Sequence, residues 1–145
     1  MKRAGFTMIE LIFVIVILGI LAAVAIPKLA ATRTDAEVSK AASDLATVVS
    51  DMGAYYTSHG KFDNLSDMTN VTTFDDPKKG AKDKDTANFK AGGEKCVLFT
   101  FNNVEDGKVT LSKVANPSSA ACQGLQSAAS DIIKEHDFGG TGVSY

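Results

Sequence analysis

Glu10 stands within GFTMIELIFVIVILGILAAVAIP, residues 5–27, where every other side chain is uncharged. A lone carboxylate at the edge of such a run costs several kcal/mol if hydrocarbon surrounds it without a partner. Either another group meets it, or the positive end of the helix dipole in the first turn favours it. Cys96 and Cys122 are the two cysteines, able to pair with each other or to stand as separate buried thiols. Lys78, Lys79, Lys82 and Lys84 could touch nucleic-acid phosphates, but Asp75, Asp76, Asp83 and Asp85 interrupt them, so nucleic acid is an unlikely partner and a solvated loop the stronger reading. His59 and His136 have no nucleophile partner in sequence, and with two cysteines they match no zinc spacing. Asp131, Glu135 and Asp137 do not follow a calcium-loop pattern. No glycine loop cradles a phosphate, so the residues point to a protein with no catalytic residues, no cofactor and no metal.

The elements that must position Glu10 and the cysteines follow from a sharp change along the chain. Between Leu11 and Ile26 there is no charge, whereas beyond Arg33 charged and polar residues are frequent. A helix over residues 6–26 would rise roughly 30 Å, matching the hydrocarbon thickness of a bilayer. Lys2 and Arg3 precede it, which holds the N-terminus in the cytoplasm and sends the remainder across. The apolar segment runs into Pro27 and then into a helical pattern, with no small-residue cleavage site after it of the kind a secretory signal carries. Both cysteines fall in the part expected outside the cytoplasm. With 15 Lys and Arg against 17 Asp and Glu, the net charge of −2 gives no general pull on nucleic acid.

After Pro27, apolar residues recur at Val38, Ala41, Leu45, Val48, Met52 and Tyr55 in steps of three and four, while Asp35, Glu37, Lys40, Asp44 and Asp51 take other faces. This is the stripe of an amphipathic helix. Gly60 supplies a stop, so one long helix is expected, kinked or loosened at Gly19 and Pro27. Residues 61–93 read as a long surface connection with short ordered pieces near 65–68 and 71–74. Residues 96–101 (CVLFTF) and 108–114 (KVTLSKV) read as an antiparallel hairpin turning through NNVEDG. Asn116 and Pro117 resemble a helix start leading into 118–126, extending as far as 134. The tail FGGTGVSY is expected to return as an edge strand.

KRAG followed by FTMIELIFVIVILGILAAVAIP resembles the N-terminus of type IV prepilins and of type II secretion pseudopilins over roughly the first 30 residues. The resemblance implies a leader at residues 1–5, cut after Gly5 by a prepilin peptidase that also methylates the new amino group on Phe6. It implies a transmembrane and assembly helix at 6–27, an amphipathic half at 28–60, and a globular head at 61–145. Glu10 is then the assembly residue, its carboxylate pairing with the N-terminal amine of a neighbouring subunit. Gly19 and Pro27 take the positions of the family's helix-weakening residues. Cys96 and Cys122 resemble the family's C-terminal disulfide; many major pseudopilins lack it and bind calcium instead.

The expected fold is therefore α+β and pilin-like: a long N-terminal helix, its second half packed on a small antiparallel sheet. The expected function is that of a structural filament subunit. Its partners would be membrane lipid before assembly, an inner-membrane assembly platform, the processing peptidase and methyltransferase, and copies of itself in a helical homopolymer. It would sit in the bacterial inner membrane with a periplasmic head before extraction into a filament. The rival reading is a low-abundance tip subunit recognising DNA or a surface; a weaker one is a single-pass protein using this N-terminus only for targeting.

Overall fold

A computed structural model describes residues 5–140; Lys2, Arg3 and the last five residues of the tail lie outside them. The first helix, α1, covers Met8–His59, 52 residues with Pro27 inside it. Pro27 has no N–H to give to the carbonyl of Ala23, yet the helix is unbroken there and at Gly19, so neither residue divides it. The described chain forms two compact units, one ending at Thr34 and the other beginning at Asp35.

Among the described residues of the first unit no large apolar side chain is buried, with exposure running from 49% at Val14 to 87% at Phe6. By length and composition this is a helix that can cross a membrane.

The second unit has a hydrophobic core. From α1 it takes Ala41, Leu45, Val48 and Met52, the middle of the expected stripe, with Leu45, Val48 and Met52 fully buried. Burial of each such side chain contributes about 1.5–3 kcal/mol. These residues share the core with the inward positions of a four-stranded antiparallel sheet in the order β1, β2, β3, β4. The strands are β1 (Thr86–Ala91), β2 (Glu94–Asn103), β3 (Lys108–Lys113) and β4 (Glu135–Asp137). Phe89 faces Val97, Phe99 faces Leu111 and Phe101 faces Val109 across the ladders. Edge-to-face pairs of Phe62 with Phe101 and of Phe74 with Phe99 fill the space between sheet and loops. Two short helices complete the unit, α2 (Leu65–Met68) and α3 (Ala120–Ala128).

The β2–β3 hairpin stands where CVLFTF and KVTLSKV place it, and α2 coincides with the ordered piece expected at 65–68. Three expectations are corrected. Residues 86–91 are not surface connection but strand β1, joined to β2 by Gly92 and Gly93 at φ 60° and 81°, the two-residue turn that suits a twisted hairpin. Helix α3 starts after Ser119, not at Pro117, because Ser119 accepts the Cys122 N–H and acts as its N-cap. An edge strand forms at Glu135–Asp137; of the tail expected to supply it, residues 138–140 are not strand and the last five lie outside the described residues.

Candidate assembly site and its supports

The N-terminal turn of α1 is built by Thr7 and Glu10. The Thr7 N–H donates to Glu10 Oε2 at 2.8 Å and the Thr7 hydroxyl donates to the same oxygen at 3.1 Å. In return the Glu10 N–H donates to Thr7 Oγ1 at 3.3 Å. Thr7 precedes the first helical residue, Met8, so the pair is a reciprocal capping box, T-x-x-E, that satisfies two N–H groups otherwise left without helical partners. Both Thr7 contacts on the carboxylate fall on Oε2; among the described residues Oε1 takes no hydrogen bond. Thr7 was not singled out from the sequence, although the Thr-x-x-Glu spacing ahead of an apolar run is its signal.

Gly5 and Phe6 precede the box on exposed, non-helical backbone, with open space around the Gly5 Cα. A bond at Gly5–Phe6 is thus reachable without unwinding helix. Glu10, Gly19 and Pro27 follow along the same apolar helix and are exposed on it.

Cys96 and Cys122 are joined in a disulfide with Cα atoms 5.5 Å apart. It ties the start of β2 to the first turn of α3. Around it the chain is sewn by polar groups: Gln126 Nε2 donates to the carbonyls of Cys96 and Val114 at 2.9 and 3.0 Å. Glu94 accepts from the Ser119 N–H at 2.7 Å and the Ser118 hydroxyl at 2.7 Å. The Ser119 N–H first, then the Ser118 hydroxyl, hold the Glu94 carboxyl below its usual range. Helix α3 approaches α1 closely: a Cβ on Gly124 would lie 2.5 Å from Val38 Cγ2.

The aspartates of the lysine-rich loop are engaged by backbone N–H groups within it and on the neighbouring chain. Asp76 accepts from the Lys78 N–H, Asp83 from the Val104 N–H, and Asp85 from the N–H groups of Gly80 and Lys82. Lys79 lies 3.7 Å from Asp85. The aspartates fold the loop's backbone and fasten it to the sheet, so the alternating charges serve structure. The histidines are likewise engaged locally, His59 stacked on Tyr55 and His136 on Phe138, with Nε2 of His136 2.7 Å from the Ile132 carbonyl. Asp131, Glu135 and Asp137 join no group of three or more metal-ligating side chains among the described residues.

Comparison with known proteins agrees with the N-terminal geometry. The family model for the prokaryotic N-terminal methylation motif matches residues 1–26. The chain is similar to the type II secretion system core protein G of Dickeya chrysanthemi, 34% identical over 61 residues, covering 42% of this chain and 40% of the relative. The protein of the same name from Pectobacterium carotovorum is 34% identical over 42% of this chain and 39% of its own. That of Escherichia coli K12 is 37% identical over 37% of each. The chain thus spans about two fifths of the length of the curated relatives it matches. No solved structure matches. The methylation motif over residues 1–26 and these partial matches make the chain similar to type II secretion system core protein G.

Proposed function

We propose that this chain is a shaft subunit of a type IV pilus-like filament, cut between Gly5 and Phe6, methylated on Phe6, and polymerised through α1. The relatives' names favour a type II secretion pseudopilus. One observation carries the reading: from Phe6 to Leu29 the large apolar side chains have no protein to bury against, and a single capped carboxylate stands among them. Once such a rod leaves lipid, its burial against copies of itself is the strongly favourable outcome. Before that it rests in the inner membrane with the head on the periplasmic side, where an assembly platform collects it. The subunit's work is packing, with no reaction of its own.

Glu10 acts in two ways. Its Oε2 caps its own helix through Thr7, and its open Oε1 receives the protonated Phe6 amine of the adjoining subunit. A methylated α-amine remains a cation near neutral pH, so modification preserves the attraction. Pairing removes a lone charge from an apolar setting, although desolvation of both ions offsets much of the Coulomb gain. Register is then the larger benefit.

Glu10→Gln and Glu10→Ala separate the two roles, because Gln keeps a capping oxygen and loses the charge. Both variants should be cleaved and methylated as the parent is, with filament yield down at least about tenfold in each, the loss expected for about 1.4 kcal/mol of pairing energy per added subunit. Filaments of Glu10→Gln at parental yield, counted by electron microscopy, would remove charge pairing. Detection of the chain only at filament ends would favour the tip reading.

A further inference from the structure

Two Asn-x-Ser/Thr triplets lie in the head, Asn64-Leu65-Ser66 and Asn70-Val71-Thr72. This is the acceptor pattern for N-linked glycans on surface loops of exported proteins. The enzyme that reads it must reach the Asn carboxamide and the Ser or Thr hydroxyl together, so both side chains have to face outward from one accessible stretch.

The structure separates the two triplets. Asn64 is half-buried at the start of α2, and its Nδ2 donates to Asp67 Oδ2 at 3.3 Å. Its carbonyl takes the N–H groups of Asp67 and Met68, and the Ser66 N–H is tied to the Pro77 carbonyl. Leu65 is 1% exposed. On a helical turn, residues two apart point away from each other, so Asn64 and Ser66 cannot be presented together.

Asn70 is exposed, Val71 half-buried against the core, and Thr72 exposed. Asn70 sits at a bend and Thr72 on irregular backbone, so both residues of the acceptor pair are accessible on one short non-helical stretch. Neither side chain makes a hydrogen bond among the described residues. The stretch is pinned at both ends. Before it, the Thr69 hydroxyl donates to Asp51 Oδ2 at 2.7 Å while Thr69 Oγ1 accepts the Val71 N–H. After it, the Lys90 N–H donates to the Thr73 carbonyl at 2.8 Å. A surface cleft of about 260 Å³ lined by Ser66, Thr69 and Pro77 adjoins Asn70 and Thr72.

We infer that Asn70 is an N-glycosylation site. The donor is a glycan on a polyprenyl diphosphate, and the catalyst is a membrane oligosaccharyltransferase of the host. Nδ2 of Asn70 forms a bond to the anomeric carbon, the bond from that carbon to the diphosphate oxygen breaks, and the polyprenyl diphosphate leaves. One carboxamide proton is lost to the enzyme's base. The inference rests on the extracytoplasmic placement of the head.

Intact-mass and fragment-ion spectrometry of the full chain purified from its own host tests it. The expected result is a glycan-sized increment on the peptide carrying Asn70, lost in Asn70→Gln and Thr72→Ala, kept in Thr72→Ser, and unaffected by Asn64→Gln. An unmodified Asn70, or an increment that survives Asn70→Gln, overturns the inference. The same spectra report the oxidation state of Cys96 and Cys122: a bare Asn70 with the disulfide intact defeats only this site, whereas two free thiols would also defeat the extracytoplasmic reading.

Discussion

Asp75 shows how one side chain fastens a loop to the sheet. Its Oδ1 accepts the Asn88 N–H at 2.8 Å, and its Oδ2 accepts the Asn88 carboxamide at 2.9 Å and lies 3.2 Å from Lys95 Nζ. Burial alone would raise its pKa, but the Asn88 donors and the Lys95 charge outweigh burial and hold it at about 2 against an ordinary 3.8. A folded-state pKa below the unfolded one contributes stability that is full above about pH 4 and lost as pH falls through about 2. The side chain is 22% exposed, so the contribution is on the order of 2 kcal/mol. Asp75→Asn should therefore lower stability to urea by about 2 kcal/mol at pH 7, with the gap from the parent closing at about pH 2. A gap of constant size across that range would show that charge is not what Asp75 supplies.

Among the elements, the disulfide joins β2 to α3 across a sequence separation of 26. Closing a loop of that length restricts the unfolded chain and is worth about 3–4 kcal/mol in the chain-entropy account. Replacing both cysteines by Ser should cost about that much in equilibrium unfolding, and β1 to β3 should keep their amide protection longer than α3 does. Equal loss of protection in sheet and helix would argue against a local tie. What the sequence disclosed about these elements depends on how strongly each is written. The α1 stripe was legible because Ala41, Leu45, Val48 and Met52 keep helical spacing and nothing competes for them. β2 and β3 were legible as runs of aromatic and β-branched residues. β1 was not, since TANFKA alternates correctly but fills its inward places with Ala87 and Ala91 beside a single Phe89. Its Gly92-Gly93 turn was the stronger signal, sitting between two strands. The start of α3 escaped because Glu94, distant in sequence, takes the N–H groups of Ser118 and Ser119. The capping box at Thr7 and Glu10 is written in the Thr-x-x-Glu spacing ahead of the apolar run, a signal independent of any partner in another chain.

For the whole molecule, the two units differ in where their apolar side chains are buried. Among the described residues every buried core residue lies at Ala41 or beyond, whereas the last of the large exposed apolar side chains on α1 is Leu29. Removing the chain before Lys28 should therefore leave the core intact while taking away most of the surface that demands lipid or copies of itself. The truncated head should be monomeric in buffer without detergent, unfold in one cooperative transition, and keep Cys96 joined to Cys122, whereas the full chain should need detergent or a filament. Gel filtration with light scattering, followed by thermal melting with and without reductant, reads each of these. If the truncated head were unfolded, the apolar helix would be a part of its core; if it associated as the full chain does, the force that builds the proposed filament would reside in the head. Either result would move the driving force away from the apolar rod, where the exposure of its large side chains puts it.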